Sequence, residues 1–272
     1  MAENQFSGIA EYVVQTDHVD TIHIRRGVSR RTALSFIGVA LAAAAGAGIW
    51  SVASDSDYEQ ALDELDDPDL GVRGEAVKKL GVIARERPGL HRPGMESLAA
   101  FIRKRSPAVL REDGLPVDQN KEPDKDVLDA VAVIGGRDVS HDNGLVLDLS
   151  GASLPGVQLQ HAHLPNANFR KANLTGTRFE DAHLQGAVFE HACLNGAHLE
   201  RAVAWGAQFP GANLWSAVLN ETKLDGANMD GFIGLMEVKG TDLRKTENLP
   251  ARGLAEPTEH ARYISDDWTR WP

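Results

Sequence analysis

A large apolar residue returns at every fifth position between residues 149 and 229 of this 272-residue chain. Leu, Phe or Met fills sixteen of these seventeen positions, and Ala204 fills the other. Two positions before each of them, with the exception of Leu149, stands a small or β-branched residue, in most cases Ala. The large residues are Leu149, Leu154, Leu159, Leu164, Phe169, Leu174, Phe179, Leu184, Phe189, Leu194, Leu199, Phe209, Leu214, Leu219, Leu224 and Met229.

A five-residue period matches neither the 3.6-residue helix nor the two-residue strand. It predicts short extended pieces, each followed by a bend, with the small and the large residue on one inward face. One such piece cannot bury its inward pair alone, so successive coils must stack on one another. The three remaining positions, polar or Gly, are expected to face solvent or to form the bend.

Four copies of the repeat share a motif in which Ala-Asn precedes the large residue. They are Ala167-Asn168-Phe169, Ala172-Asn173-Leu174, Ala212-Asn213-Leu214 and Ala227-Asn228-Met229. The motif and its period resemble the pentapeptide-repeat family, whose signature is A-[DN]-L-x-x. The resemblance implies a mainly β fold, a right-handed quadrilateral β-helix with four pentapeptides per coil and about four coils. Strands spaced ~4.8 Å apart make such a tower on the order of 20 Å tall.

A coil of twenty residues places equivalent side chains directly above one another. Phe169, Phe189 and Phe209 have this spacing and are expected to stack as an interior aromatic column. Ala204 replaces a Leu-sized side chain, so a small void or a local kink is expected there.

The same spacing predicts charge pairs on the outer surface. Asp181, Arg201 and Glu221 are twenty residues apart and are expected to form a ladder of alternating charge. Arg170 is expected to lie beside Glu190. Since exposed pairs add little stability, their expected effect is on the register of the coils.

The period breaks after Met229 and resumes at Thr241. We therefore assign residues 145–245 to the solenoid. Residues 246–272 are predicted to cap its open end, because an exposed solenoid end invites edge pairing.

Residues 55–137 have the apolar spacing of a small α-helical domain. The first run contains Val72, Ala76, Val77, Leu80, Ile83 and Ala84. Prolines at positions 88, 93, 107, 116 and 123 are predicted to mark helix ends. This segment resembles the short helix-hairpin module that often precedes the repeats in bacterial membrane-associated pentapeptide proteins.

Residues 32–54 carry no charge for 23 positions, enough to cross a ~30 Å hydrocarbon core as one helix. Four arginines at positions 25, 26, 30 and 31 precede this stretch, and eight carboxylates follow between residues 55 and 69. By the positive-inside bias, we expect a single-pass cell-membrane protein with a cytoplasmic N-terminus. The pair Arg30-Arg31 also resembles a twin-arginine export signal, with cleavage near residues 51–53 as the alternative. Ala33 stands where that signal usually has Phe.

Residues 1–31 are predicted to be a flexible tail. Its Val13-Val14-Gln15 core resembles the short amyloid-signalling motifs of some bacterial signalling proteins, so self-association is an alternative.

The formal net charge of −11 does not lie on the repeats, since residues 149–229 carry six acidic and five basic side chains. Nucleic acid is not expected as a partner, because neutralising phosphates requires a basic face. The best-known activity of the resembled family is mimicry of DNA by strongly acidic towers, which inhibit topoisomerase and confer quinolone resistance. This alternative is disfavoured here because a nearly neutral tower lacks the required field.

Few residues are candidates for chemistry. His161, His163, Asp181 and His183 are expected on one outer edge of adjacent coils, with side chains that suit a metal. Outward repeat positions accept any polar residue, so a surface without metal is the simpler interpretation.

Cys193 has His191 and His198 nearby in sequence but no predicted cleft, so an inert thiol is favoured. The sequence has no Gly-rich phosphate loop and no HExxH motif, and we predict neither a catalytic residue nor a cofactor. Trp205 and Trp215 take outward positions on opposite faces of the coil. They are candidates for contact with a partner, with packing under the C-terminal cap as the alternative.

Taken with the anchor at 32–54, these features predict a non-enzymatic, membrane-anchored scaffold whose solenoid binds a protein not identified by the sequence. The alternatives are a DNA-mimicking topoisomerase inhibitor and a metal-binding protein that uses the surface histidines.

Overall fold

The computed structural model describes residues 55–237, 239, 241, 243, 245–247 and 261–264. The predicted tail 1–31 and membrane span 32–54 lie outside these residues, as does most of the predicted cap at 246–272. In the part of the chain that is described, no helix is both long and apolar enough to cross a bilayer.

Four α-helices and one short 3₁₀ helix precede the repeats. They are α1 (Asp55–Glu64), α2 (Leu70–Glu86), α3 (Pro88–Arg105), α4 (Lys125–Gly135) and the 3₁₀ helix Val139–His141. Asp69 caps α2, accepting hydrogen bonds from the backbone N–H groups of Gly71 and Val72. Helices α2, α3 and α4 pack against one another, and the first apolar run is buried from Ala76 onward. Val72, by contrast, is 37% exposed and lies in the first turn of α2.

Pro93 does not mark a helix end, contrary to the expectation from sequence. It lies inside α3, whose first residue is Pro88. At this place a proline removes one hydrogen bond near the helix N-terminus, to the carbonyl of Gly89. The buried residues of α3 that follow, such as Met95 and Leu98, offset that loss by packing.

Two buried ionic contacts fix the helices. Arg73 Nε of α2 donates to Asp126 Oδ2 of α4 at 2.5 Å, and both side chains are almost fully buried. Asp142 accepts hydrogen bonds from Arg137 and His91. Burial disfavours the charged form of Asp142, but these two donors outweigh that effect and hold its pKa below the ordinary 3.8.

The solenoid that follows completes one coil in twenty residues, since bridge partners are twenty positions apart. One column of partners runs through Asp148, Asn168, Val188, Gln208 and Asn228. All eleven residues assigned to its core are 0% exposed. These are Leu154, Phe169, Leu174, Phe179, Leu184, Phe189, Leu194, Leu199, Phe209, Leu214 and Leu219.

Stacked aromatic rings fill the middle of the tower, as the spacing of twenty predicts. Phe189 lies parallel to Phe169 and Phe209, with ring centroids 5.2 and 4.9 Å apart. Phe179 meets Phe169 and Phe189 edge to face. The backbone at Ala204 does not have the expected kink: its N–H donates to the carbonyl of Lys223 at 2.9 Å, as in the regular coils.

The corners of the coils have a single backbone conformation. All seventeen residues at five-residue intervals from Gly151 to Gly231 have φ between 55° and 69°. Sixteen of them are the third residue of a turn closed by a hydrogen bond, such as Ala197 N–H to Leu194 O at 3.0 Å. The chain can therefore change direction every five residues and still present the next pair inward.

The ladder of backbone hydrogen bonds between coils continues beyond the break in the five-residue period, into a fifth coil. The N–H groups of Glu221 and Met229 donate to the carbonyls of Lys239 and Glu247. Strand β1 (Gly234–Glu237) pairs in parallel with β2 (Ala261–Ile264). This pairing covers part of the last open edge of the ladder.

The described helices from Ala61 onward and the coils belong to one compact unit. Residues 106–119, which we call the strap, connect α3 to the outside of the solenoid. Ser153 N–H donates to Ser106 O at 2.6 Å, and Ala108 N–H donates to Gly151 O at 2.7 Å. The strap then forms a short hairpin, in which Val117 N–H donates to Val109 O.

The end of the strap closes one face of the tower. Asp118 accepts a hydrogen bond from Thr175 Oγ1 at 2.7 Å and another from the amide of Asn195. Gln119 O accepts from Asn173 Nδ2 at 2.9 Å. Under this cover lies Cys193, 2% exposed, with its sulfur 3.4 Å from Thr175 Oγ1.

The corner conformation can be tested at Gly196, where an added Cβ meets nothing within 4 Å and φ is +62°. We expect Gly196→Ala to lower the free energy of unfolding by about 1 kcal/mol, because an L-residue is strained in the left-handed region. The matched control is Gly89→Ala, which also has open space but lies in α3 without positive φ. Chemical denaturation should show the control unchanged or stabilised by up to about 1 kcal/mol. Equal losses in both variants would contradict the argument from corner strain.

The cover over Cys193 can be tested by thiol labelling, since this is the chain's one cysteine. Asp118→Ala removes two hydrogen bonds that hold the strap down. Bonds to a charged group contribute about 1.5–3 kcal/mol each, less where exposed, so we expect labelling of the native protein to accelerate about tenfold. Glu112→Ala, an exposed change on the same strap, is the control. Labelling at the wild-type rate in Asp118→Ala would show that the strap does not protect the thiol.

Candidate functional site

Each straight segment of the coil presents its middle residue outward, so the tower has four faces. The strap covers the lower part of the face centred on Ser153, Asn173, Cys193 and Asn213. No other described segment covers the remaining three faces in this way, and we call them the open faces. The arginine–histidine face is centred on Gln158, Arg178, His198 and Val218, the histidine–lysine face on His163, His183, Val203 and Lys223, and the amide face on Asn168, Val188, Gln208 and Asn228.

The four surface residues considered for a metal are divided between two places. His163 and His183 stack on the histidine–lysine face with ring centroids 5.3 Å apart. Burial, with the positive charges of His183 and Arg137 adding to it, holds the pKa of His163 below its ordinary value.

Asp181 lies at a corner and is bound by Arg201 through two hydrogen bonds of 2.9 and 2.7 Å. These bonds hold the pKa of the Asp181 carboxyl below its usual range. His161 lies at the equivalent corner one coil below. Among the described residues, these side chains do not gather their ligand atoms into one group.

The charge pairs predicted from the spacing of twenty are present. Besides Asp181 with Arg201, Arg170 lies 2.8 Å from Glu190. Glu221 contributes a further favourable charge beside Arg201. Each of these contacts joins equivalent positions of two successive coils. The contacts therefore favour one register of the coils over the others.

A second group of polar residues was not predicted from the sequence. Glu180, His198 and Glu200 lie on and beside the arginine–histidine face, with one ligand atom from each within 4.8 Å of the others. The sequence does contain a signal for this group, because the two glutamates are twenty residues apart and a histidine stands two residues before the second. Their burial was not readable, because outward repeat positions are usually exposed.

Cys193 does not meet the two histidines near it in sequence. It is buried under the strap, whereas His191 lies at a corner 3.7 Å from Glu190. His198 bonds instead to Glu200, with 3.0 Å between Nδ1 and Oε1. The structure therefore gives no thiol–imidazole pair among the residues considered.

The two tryptophans are the largest exposed apolar side chains of the described solenoid. Trp205 and Trp215 are 48% and 44% exposed. Trp205 borders the histidine–lysine face, and the Lys223 ammonium lies 5.9 Å from the centroid of its ring. Trp215 follows Asn195 by one coil, just beyond the point where Asp118 of the strap is bound.

Comparisons with known proteins concern the coils. The sequence profile described as "Pentapeptide repeats" matches residues 148–181, 162–201, 182–214 and 197–233, with eight copies. A comparison with curated proteins finds no match.

Several solved structures are similar to this chain. A pentapeptide-repeat protein from the thylakoid lumen of Arabidopsis thaliana is 28% identical over 39% of this chain and 66% of its own, with a TM-score of 0.25. HetL of Nostoc, a pentapeptide-repeat protein involved in regulating heterocyst differentiation, is 28% identical over 36% of this chain and 58% of its own, with a TM-score of 0.19. The chain thus spans less than two thirds of either protein. A plasmid-mediated fluoroquinolone resistance protein is 17% identical over 44% of this chain and 76% of its own, with a TM-score of 0.24.

The ladder with its period of twenty, the inward small and large residues and the matched profile lead to one assignment. Residues 148–233 are pentapeptide repeats, and the coils of that family form a right-handed quadrilateral β-helix.

Proposed function

We propose that the protein is a non-enzymatic interaction scaffold that is anchored to a membrane and binds a protein partner with the open faces of its solenoid. The observation that carries the proposal is the exposure of Trp205 and Trp215 on a tower whose phenylalanines between residues 169 and 209 are fully buried.

An exposed Trp offers a large apolar surface and one N–H donor, and this residue type is enriched among the side chains that dominate binding energy. The backbone that holds both rings is fixed by coil-to-coil hydrogen bonds, such as Gly196 N–H to Trp215 O at 2.7 Å. A partner that contacts either ring would meet it on a backbone already in place, which lowers the ordering cost of binding. Lys223 beside Trp205 adds a cation to that part of the surface.

The charge of the tower supports a protein partner over nucleic acid. Six acidic and five basic side chains between residues 149 and 229 provide no basic face for phosphates. The same balance gives no strong negative field of the kind that DNA mimicry requires. A cavity of about 360 Å³ lies among the helices, where His91 and Met95 contribute to its lining.

The membrane part of the proposal rests on residues 32–54, an uncharged stretch of 23 residues with four arginines before it. Whether this segment stays as an anchor or is removed as an export signal, the solenoid would lie on the non-cytoplasmic side. A retained anchor is the version that we propose.

Photo-crosslinking in native host cells tests both parts. A photoreactive phenylalanine analogue replaces Trp205 or Trp215 in the tagged full chain, and the cells are irradiated before lysis. Because the analogue keeps the aromatic surface, we expect a discrete adduct of higher mass from at least one of the two positions. The adduct should remain in the membrane pellet after an alkaline wash.

The matched control places the same analogue at Gln158, an exposed position on the arginine–histidine face. If neither tryptophan position gives an adduct, or if Gln158 gives an equal amount, the proposal that a partner binds at Trp205 or Trp215 is contradicted. Release of the intact chain into the supernatant by the alkaline wash would contradict the anchor and leave the binding result to stand separately.

A further inference from the structure

Charged side chains that occupy the same position in successive coils lie next to one another in this tower. Where both are charged, their signs are usually opposite. Arg201 pairs with Asp181, and Lys245 lies 3.2 Å from Asp225. Glu180 and Glu200 are the exception among the described coils, since two carboxylates follow each other at the spacing of twenty.

Glu180 is also shielded from water, and so is one oxygen of Glu200. Glu180 is 8% exposed, and its Oε1 accepts hydrogen bonds from Arg178 Nε at 2.8 Å and from Arg178 Nη2 at 2.5 Å. The second oxygen of each glutamate, Oε2, is buried without a hydrogen-bond partner. A buried acceptor without a donor is costly, and two neighbouring ones with like charge are more so. Arg178 lies close to both glutamates and offsets part of their charge, yet it leaves the two Oε2 atoms without a donor, so a further positive group would be stabilised between them.

His198 supplies the third member. One ring nitrogen of His198 and one oxygen of each glutamate lie within 4.8 Å of one another. Two carboxylate oxygens and an imidazole nitrogen form a donor set that Zn²⁺ accepts. We propose that Glu180, His198 and Glu200 form a zinc site that joins two adjacent coils on the arginine–histidine face.

The surrounding residues fit this assignment. The two glutamates offset the charge of Zn²⁺, so that the ion would remove the repulsion between them. Arg178 holds the other oxygen of Glu180 and acts as a positioning residue, as hydrogen-bonded groups around ligating carboxylates commonly do. His198 and Glu200 are only half-buried, which leaves access for water or a partner side chain as a fourth ligand.

The test is zinc binding to the full chain, purified in detergent with a tag that contains no histidine and then treated with a chelator. Competition with a zinc-responsive dye gives the affinity, and elemental analysis after dialysis gives the stoichiometry. We expect one Zn²⁺ per chain and a rise in the melting temperature with added Zn²⁺. His198→Ala and Glu200→Gln should each weaken binding more than about tenfold, and Arg178→Ala by about tenfold, since groups around the ligands have effects of that size.

Glu190→Gln and His191→Ala are matched controls, because they change the same residue types on the tower outside the group. Circular dichroism of the zinc-free proteins establishes that each variant has folded. No retained zinc in the wild type overturns the proposal. So does zinc that binds equally to Glu200→Gln, or zinc that is lost only when His163 and His183 are replaced.

Discussion

Positive φ at every corner is the constraint on which the solenoid depends. The left-handed region costs an L-residue about 1–2 kcal/mol, yet eight of the seventeen corners are not Gly. The next coil offsets this strain, because the backbone N–H of the corner residue donates a hydrogen bond to a carbonyl of that coil. Asp181 N–H donates to Glu200 O at 3.0 Å, and Arg201 N–H donates to Asn220 O at 2.9 Å. A corner is therefore stable only when its neighbour is in place, which makes stacking and local conformation one cooperative property.

The repeat by itself does not fix which residues stack. A slip of five residues would keep every small and large side chain facing inward, since all four faces share the pattern. Register must come from features with a period of twenty. The column of Phe169, Phe189 and Phe209 is one, because a slip would place Leu between the rings. The pair of Asp181 and Arg201 is another, despite the small contribution of exposed ion pairs to stability.

The sequence predicts the position of a residue correctly where its neighbours in space recur at the same spacing as the residue itself. The inward positions, the phenylalanine column and the charge pairs all follow from the five- and twenty-residue spacings. The strap was missed because residues 106–119 have no period, and their bonds to Ser153, Thr175 and Asn195 join positions far apart in sequence. The zinc candidates were visible by spacing at Glu180 and Glu200. Their significance depends on burial and on oxygens without donors, which no pattern of residue types reveals.

The strap also divides the tower into unequal faces, and this bears on how the protein can bind. Because Asp118 and Gln119 occupy the lower part of one face, a partner of the kind proposed would bind the three others or the corner of Trp215 above the strap. The histidine–lysine face, bordered by Trp205, carries the aromatic surface, while the arginine–histidine face carries the carboxylate pair. An ion that joins Glu180 to Glu200 would tie two coils together without touching the tryptophans. Under the two proposals, the stability of the tower and recognition by its surface would therefore change independently.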